Sequence, residues 1–429
     1  MSKIWIDLTD ISHWTGHFTG IQRVVYNLAD SFDKKLADAN FFIYDEEERE
    51  FYGVDFKSIE DKFRHDDSTE KEQGIDFRSL ALAYYSKIPT RIKKAVPNVV
   101  KTSSKKMMQK TETIVVNLKK SKDKAIKKDR VDFQPQDIVV VLGNNWDRDI
   151  FMLDLTYKKY DRDLKIYQLV YDLIPSFCPQ LFGPPLFEIF TRYMFKAISI
   201  SDGLLCISKS TEKDVIRFCQ RVGLKAPKTK VIRLGDSLPD LKPKTVQGLT
   251  KDEFILCVGT VEVRKNHTLL YYAWKEGIRR GYKMPKLVIV GRTGWYTENI
   301  RELISHDPET RDLIVLYENT KDAELAWFYQ NCKFSVYPSF YEGWGLPIAE
   351  SLNYGKFCLA SNTSSMPEIA GDLIDYFSPF DPINCLDSVT YYMESKTELQ
   401  KKEKRIADCY RPTSWLKTYK AASDFILGG

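Results

Sequence analysis

FSVYPSFYEGWGLPIAESLNYGKFCLAS, residues 334–361, reads as a strand, a glycine-rich loop, a helix and a second strand. FSVYP (334–338) and FCLAS (357–361) are short continuous apolar runs, the pattern of strands covered on both faces. Between them Pro347 suits the first turn of a helix and Gly355 its end. The helix follows Gly343-Trp344-Gly345, whose glycines let a ligand approach the backbone. A helix tip there offers unpaired N–H groups and about half a positive charge, which favours an anion. Glu342 and Glu350 flank this tip. Carboxylates there fit an anion site only if they bind sugar hydroxyls; the alternative is a turn with a capping acid.

The same strand–helix–strand rhythm extends in both directions. Runs at 3–8, 40–44, 137–142, 165–170, 203–208 and 230–234 form one series, and runs at 254–259, 286–291, 313–317, 334–338, 357–361 and 373–377 a second. Amphipathic stretches such as Gln22–Phe32, Thr211–Cys219, Leu269–Arg279 and Asp322–Tyr329 fill most gaps. The pattern predicts α/β architecture with two parallel sheets. A break at Asp236–Leu249, rich in proline and lysine, reads as a linker. It sets one domain at 1–238, a second at 250–410, and a last helix within 411–429 that packs back on the first. A length of 429 residues suits two domains.

Residues 46–135 interrupt the rhythm, separating two strands by far more than an ordinary connection. Arg91–Arg130 carries 14 Lys/Arg against three acids, so the chain's net charge of +5 conceals a mildly acidic body and one basic segment. Three readings stand: a solvated excursion, a helix lying on an anionic membrane surface, or a nucleic-acid contact. No aromatics interleave the lysines and no nucleic-acid motif appears, so no nucleic-acid partner is expected. Lysines near an anionic leaflet contribute about 1 kcal/mol each. The eight cysteines form no CxxC pair, and Cys206, Cys257 and Cys358 lie in apolar runs, as free core thiols of a reducing compartment do. The charged MSKIWIDLTD start is no signal-peptide core and no window reaches the ~20 apolar residues of a span. The expected location is the cytoplasm, or the inner face of the cytoplasmic membrane.

FILCVGTVEVRKNH ends a strand at Gly259 and places Arg264-Lys265 at the start of a helix. Two cations at a strand's carboxyl end suit a pyrophosphate, arginine as a fork and lysine as a point charge; the alternative is a solvated basic turn. IDLTDISHWTGHFTGIQRVVYNL is the first strand–loop–helix unit, with Gly16 and Gly20 but without GxGxxG, so no dinucleotide fingerprint is present.

With YPSFYEGWGLPIAE (337–350), the run Gly259, Thr260, Glu262, Arg264, Lys265, Asn266, LVIVGRTGW (287–295) and SSMPEIAGD (364–372), the C-terminal half resembles the family-4 retaining glycosyltransferases of the GT-B fold. FTGIQRVVYNL and YDLIP give a looser likeness in the first half. The resemblance implies two facing Rossmann-like domains with an interdomain cleft. It implies that Arg264 and Lys265 hold a donor diphosphate, Glu350 the ribose and Glu342 the transferred sugar. The amides from Gly343 through Trp344 and Gly345 to Leu346, with Gly259 and Thr260, complete the donor side, and Gly20 faces it across the cleft. Many relatives carry His-Asp where this chain has Tyr171-Asp172; tyrosine titrates near pH ~10 and is no base at neutral pH. Asp172 stands as the acceptor-side group, with His13 or His17 as possible substitutes. The triplets 147–149 and 161–163 (Asp-Arg-Asp) read as surface charge, so no metal or other cofactor is expected.

The implied reaction is same-face transfer of a hexose from a nucleotide-sugar to a glycan or lipid-linked acceptor in surface polysaccharide synthesis. GDP-mannose is the first expectation for the donor, then dTDP-rhamnose or a UDP-sugar. The alternatives are a sugar phosphorylase or sugar-phosphate synthase, or a non-catalytic sugar-nucleotide-binding subunit.

Overall fold

The computed structural model describes residues 2–14, 20–61, 127–183, 186–236, 242–294 and 296–428. Its first sheet contains β1 (Ile4–Asp7), β2 (Ala39–Asp45), β3 (Glu50–Val54), β4 (Lys127–Arg130), β5 (Ile138–Val141), β6 (Lys165–Val170), β7 (Gly203–Cys206) and β8 (Lys228–Val231), in the order β4-β3-β2-β1-β5-β6-β7-β8. All pairings are parallel except β2–β3 and β3–β4. The second sheet contains β9 (Phe254–Val258), β10 (Lys286–Val290), β11 (Ile314–Tyr317), β12 (Ser335–Tyr337), β13 (Cys358–Ser361) and β14 (Asp375–Phe377), all parallel, in the order β11-β10-β9-β12-β13-β14. In each sheet the order reverses beside the first strand, β1 or β9, which opens a crevice at the strands' carboxyl ends.

Every strand expected from an apolar run is present within a few residues. β3 and β4 are additions. They lie inside the segment read as an excursion, and β4 is KKDR, part of the stretch assigned to a membrane surface. An all-charged edge strand buries no apolar face and leaves no apolar pattern to read. Residues 62–126 of the excursion, which include the remainder of the basic segment, lie outside the described residues, as do Gly16, His17 and 237–241 of the linker. None of the described helices is long and apolar enough to cross a membrane.

The chain crosses between the sheets twice, at adjoining points. Asp236 donates its amide to the Thr413 carbonyl (3.0 Å), and its carboxylate accepts from Tyr410 Oη and the Thr413 amide, both at 2.5 Å. Beyond this knot the helix Trp415–Leu427 packs on the first-domain helix Gly20–Lys35. Phe32 and Tyr419 meet edge-to-face at 4.9 Å, and Phe425 meets Tyr167 of β6 at 5.8 Å. One apolar cluster runs through residues of both sheets, including Ile6, Val24, Leu169, Ile255, Ile348 and Ile426. The eight cysteines are all free, and burial pushes the thiols of Cys206, Cys257 and Cys358 up to about 12.

Candidate active site

The site grows from three strand ends. After β9 the chain passes Gly259, at φ 154°, and the exposed Thr260, then makes a 3-10 turn Val263–Lys265 that stops at Asn266, φ 58°. The Asn266 amide nitrogen donates to the carbonyls of Pro338 (3.0 Å) and Pro379 (2.8 Å). The Phe340 amide donates to the Arg264 carbonyl at 2.9 Å. These bonds tie the basic turn to the loop after β12.

There the cations meet the acidic motif. Arg264 Nη1 donates to Glu342 Oε2 at 2.6 Å and Nη2 to Glu262 Oε1 at 2.7 Å, while Lys265 Nζ donates to Glu342 Oε1 at 2.7 Å and to Tyr337 Oη at 2.8 Å. Glu342 is only 6% exposed. Burial alone would lift its carboxyl, but Arg264 and Lys265 overrule it and hold it down at about 2. Burial pushes the Lys265 ammonium down against the pull of Glu342. The glycine-rich loop continues into the helix Leu346–Asn353, with Gly345 at φ 130° as its N-cap. A Cβ on Gly345 would also sit 2.9 Å from Ile369, so both backbone and space demand glycine.

The first domain closes on this loop. A Cβ on Gly343 would fall 2.2 Å from the Tyr171 carbonyl oxygen and 3.1 Å from Asp172 Cβ, at the end of β6. Trp344 is buried beneath the Arg233 guanidinium, 5.4 Å from its ring centroid. A Cβ on Gly20 would lie 3.6 Å from Leu346 Cδ1. Asp172 accepts from the Ile174 amide (3.0 Å); burial raises its carboxyl, and Arg264 opposes the rise. Tyr171 donates its hydroxyl to the Leu142 carbonyl at 2.8 Å, and burial holds that hydroxyl well above its ordinary value. A cavity of about 190 Å³ lies here, lined by Ile21, Trp146, Asp172, Phe190 and Arg264 among others.

Arg264, Lys265, Glu342, Gly343, Gly345, Leu346, Gly20 and Asp172 are thus drawn to one cleft. Glu350 is one turn along the helix, accepting from Tyr329 Oη at 2.8 Å and from Arg23 Nη1 at 3.2 Å. His13 stands exposed at the end of the short helix Thr9–His13. The two Asp-Arg-Asp triplets mark the ends of the helix Asp149–Arg162, where Arg148 pairs with Glu46 and Arg162 with Asp161 and Asp132.

Several partners were not singled out from the sequence. Glu368, inside SSMPEIAGD, accepts from the amides of Lys209 and Ser210, both at 2.8 Å, capping a first-domain helix from across the cleft. Tyr341 Oη donates to Asp214 Oδ2 of that helix at 2.8 Å. Arg23 sits in FTGIQRVVYNL. Each residue lies in a quoted motif, but its partner is in the other domain, so spacing along the chain carries no signal of the pair.

Residues 242–407 match the family described as glycosyl transferases group 1. The chain is 26% identical over 201 residues to the O-antigen chain mannosyltransferase B of Escherichia coli, covering 46% of this chain and 52% of that protein. It is 27% identical over 226 residues to the serotype-specific mannosyltransferase WbdA of E. coli, covering 49% of this chain and 27% of that one. The chain therefore matches about half the length, or less, of these curated relatives. Among solved structures, Anabaena HepE in complex with UDP superposes with a TM-score of 0.61 over the full length of both chains at 11% identity. The lipopolysaccharide outer core galactosyltransferase WaaB gives 0.51 over 100% and 99% at 14%. Residues 242–407 thus match the glycosyl transferases group 1 family model, and the chain carries them on a GT-B fold of two facing Rossmann-like domains.

Proposed function

We propose that this chain is a retaining hexosyltransferase that moves a sugar, mannose first, from a nucleoside diphosphate to a glycan or lipid-linked acceptor. The observation that carries the reading is the pairing of Arg264 and Lys265 with one buried carboxylate, Glu342, beside the glycine-hinged tip of Leu346–Asn353. In this arrangement the two side chains are oriented by Glu342 before any phosphate arrives, so little reorganisation accompanies reaction. An incoming diphosphate takes over the arginine fork and the ammonium, while the helix tip adds unpaired amides. Glu342 is then released toward the sugar hydroxyls, and Glu350 toward the ribose. Arg264, Lys265 and the tip neutralise the leaving diphosphate, which accepts the acceptor's proton on the same face. Asp172, across the cleft from Gly343, orients that acceptor. The enzyme works without a metal in this reading, and chelation leaves turnover intact.

The mannosyltransferase relatives support GDP-mannose as donor and a surface polysaccharide as product. In this reading the enzyme works in the cytoplasm at the membrane's inner face, with the basic segment of residues 91–130 as the candidate contact to an anionic surface. A thermal-shift panel of GDP-, UDP- and dTDP-sugars tests the proposal. A true donor at 100 times its Kd stabilises the protein by about 2.7 kcal/mol, and Arg264→Ala removes the shift. Equal response of wild type and variant to every nucleotide would sink it.

A further inference from the structure

A second cavity, of about 790 Å³, opens on the C-terminal domain and draws its lining from the helices His267–Arg279 and Glu298–His306 and the loops before them. Among the described residues its lining contains no lysine or arginine. Two tyrosines lie open on it, Tyr272 at 50% exposure and Tyr296 at 47%, and Tyr296 is held at φ 54°, a left-handed backbone that a bulky side chain rarely adopts. His267 also lines it. That ring is 2% exposed, and neither of its nitrogens has a hydrogen-bond partner among the described residues. Burial, reinforced by Lys265, pushes the imidazole down to about 3, so the ring is neutral and has one donor and one acceptor to offer. Asn299 and Glu302 add planar amide and carboxylate groups.

We propose that this cavity binds a neutral glycan, the already grown part of the acceptor chain, at a site separate from the donor cleft. The inference rests on the glycosyltransferase reading. Tyrosine faces suit the C–H face of a pyranose, and carboxylate, amide and neutral imidazole suit its hydroxyls. A described lining without lysine or arginine disfavours phosphates and nucleotides. No described cluster of three His, Cys, Asp or Glu could hold a metal ion here or elsewhere. The volume falls in the range of small-molecule sites. Glu262 joins the two sites: it lines this cavity and accepts from Arg264 Nη2 at 2.7 Å. A glycan seated here therefore lies one carboxylate away from the cation assigned to the donor diphosphate.

Isothermal titration of the full chain with an α-linked mannotetraose, and separately with GDP, UDP and dTDP, tests this. The tetrasaccharide is expected to bind wild type, to bind at least tenfold more weakly to Tyr272→Ala and to Tyr296→Ala, and to stay bound when nucleotide is saturating. Both tyrosines are half exposed, and a retained nucleotide response reports that the variants are folded. Equal tetrasaccharide affinity in all three proteins, or displacement of the sugar by nucleotide, overturns the proposal. Nucleotide binding with no tetrasaccharide binding overturns it too, yet leaves the glycosyltransferase reading standing; loss of both removes that reading as well.

Discussion

Glu342 is the residue on which the cation pair depends, and its removal separates structure from ligand. Its folded carboxyl lies at about 2 against an ordinary 4.5. A lowered value means its stabilisation is complete above about pH 4.5 and is lost as pH falls toward 2. Glu342→Gln leaves Arg264 and Lys265 buried side by side, which costs about 3–5 kcal/mol. The variant should melt lower than wild type at pH 7, and a nucleoside diphosphate should recover more of the loss than it adds to wild type. A variant as stable as wild type would show that the ion cluster carries no such load. Asp7 behaves in the opposite sense. Burial raises its carboxyl to about 6 from 3.8 despite bonds from the Thr9 amide (2.9 Å) and Asn145 Nδ2 (2.7 Å). The advantage of the protonated acid is complete below about pH 3.8 and lost as pH rises through about 6. Asp7→Asn should therefore stabilise the fold by about 1–3 kcal/mol at pH 7.5. Urea midpoints at pH 7.5 and pH 4 check this, because the gain should vanish at the lower value. At this scale the gathering of Arg264 and Lys265 on Glu342 was legible because residue type and local order mark out cations and acids at strand ends. Asp7 was not, since an acid at the end of an apolar run looks the same whether it is solvated or buried.

Among the elements, most of the parallel strands announce themselves because strands buried on both faces must be continuously apolar, whereas β8, KTKV at the sheet's other edge, only overlaps the end of its apolar run. β3 and β4 escape that rule as an antiparallel extension of the sheet, with β4 at its edge and wholly charged. The helix Leu346–Asn353 was legible from its proline and its flanking glycines, yet the reason for Gly343 lies in the other domain. Its absent side chain is what allows the loop to touch the Tyr171 carbonyl. Gly343→Ala places a methyl group 2.2 Å from that oxygen, and backbone cannot yield as a flexible side chain can. The substitution should push the two domains apart by a fraction of an ångström or more. Misplacement on that scale costs on the order of 10²-fold in turnover. Steady-state kinetics with the identified donor, beside an unchanged circular dichroism spectrum, gives the measure; turnover within twofold of wild type would show that the loop tolerates the methyl.

At the scale of the whole molecule, the side-chain ties that hold the halves together around the cleft include three between well-separated polar residues. Arg23 reaches Glu350, Tyr341 reaches Asp214, and Glu368 caps the helix Lys209–Val222. None has the apolar area of a core, and each joins residues more than 100 positions apart. Together they form a polar seam of the kind that can open and reclose, unlike the covalent crossings at Asp236 and Thr413. The Glu368 tie is the simplest to test, because its carboxylate accepts two backbone amides at a helix start and also complements the positive end of the helix. Glu368→Ala forfeits about 1–2 kcal/mol of that seam without emptying any core. Small-angle scattering should then show a larger radius of gyration in the absence of nucleotide, and kcat should fall while donor KM changes little, because the proposed phosphate contacts, Arg264, Lys265 and the helix tip, all lie within one domain. Glu368→Gln keeps one acceptor oxygen and should recover part of both effects. A scattering profile identical to wild type, with kcat also unchanged, would show that the helix cap is local and that closure of the cleft is governed elsewhere.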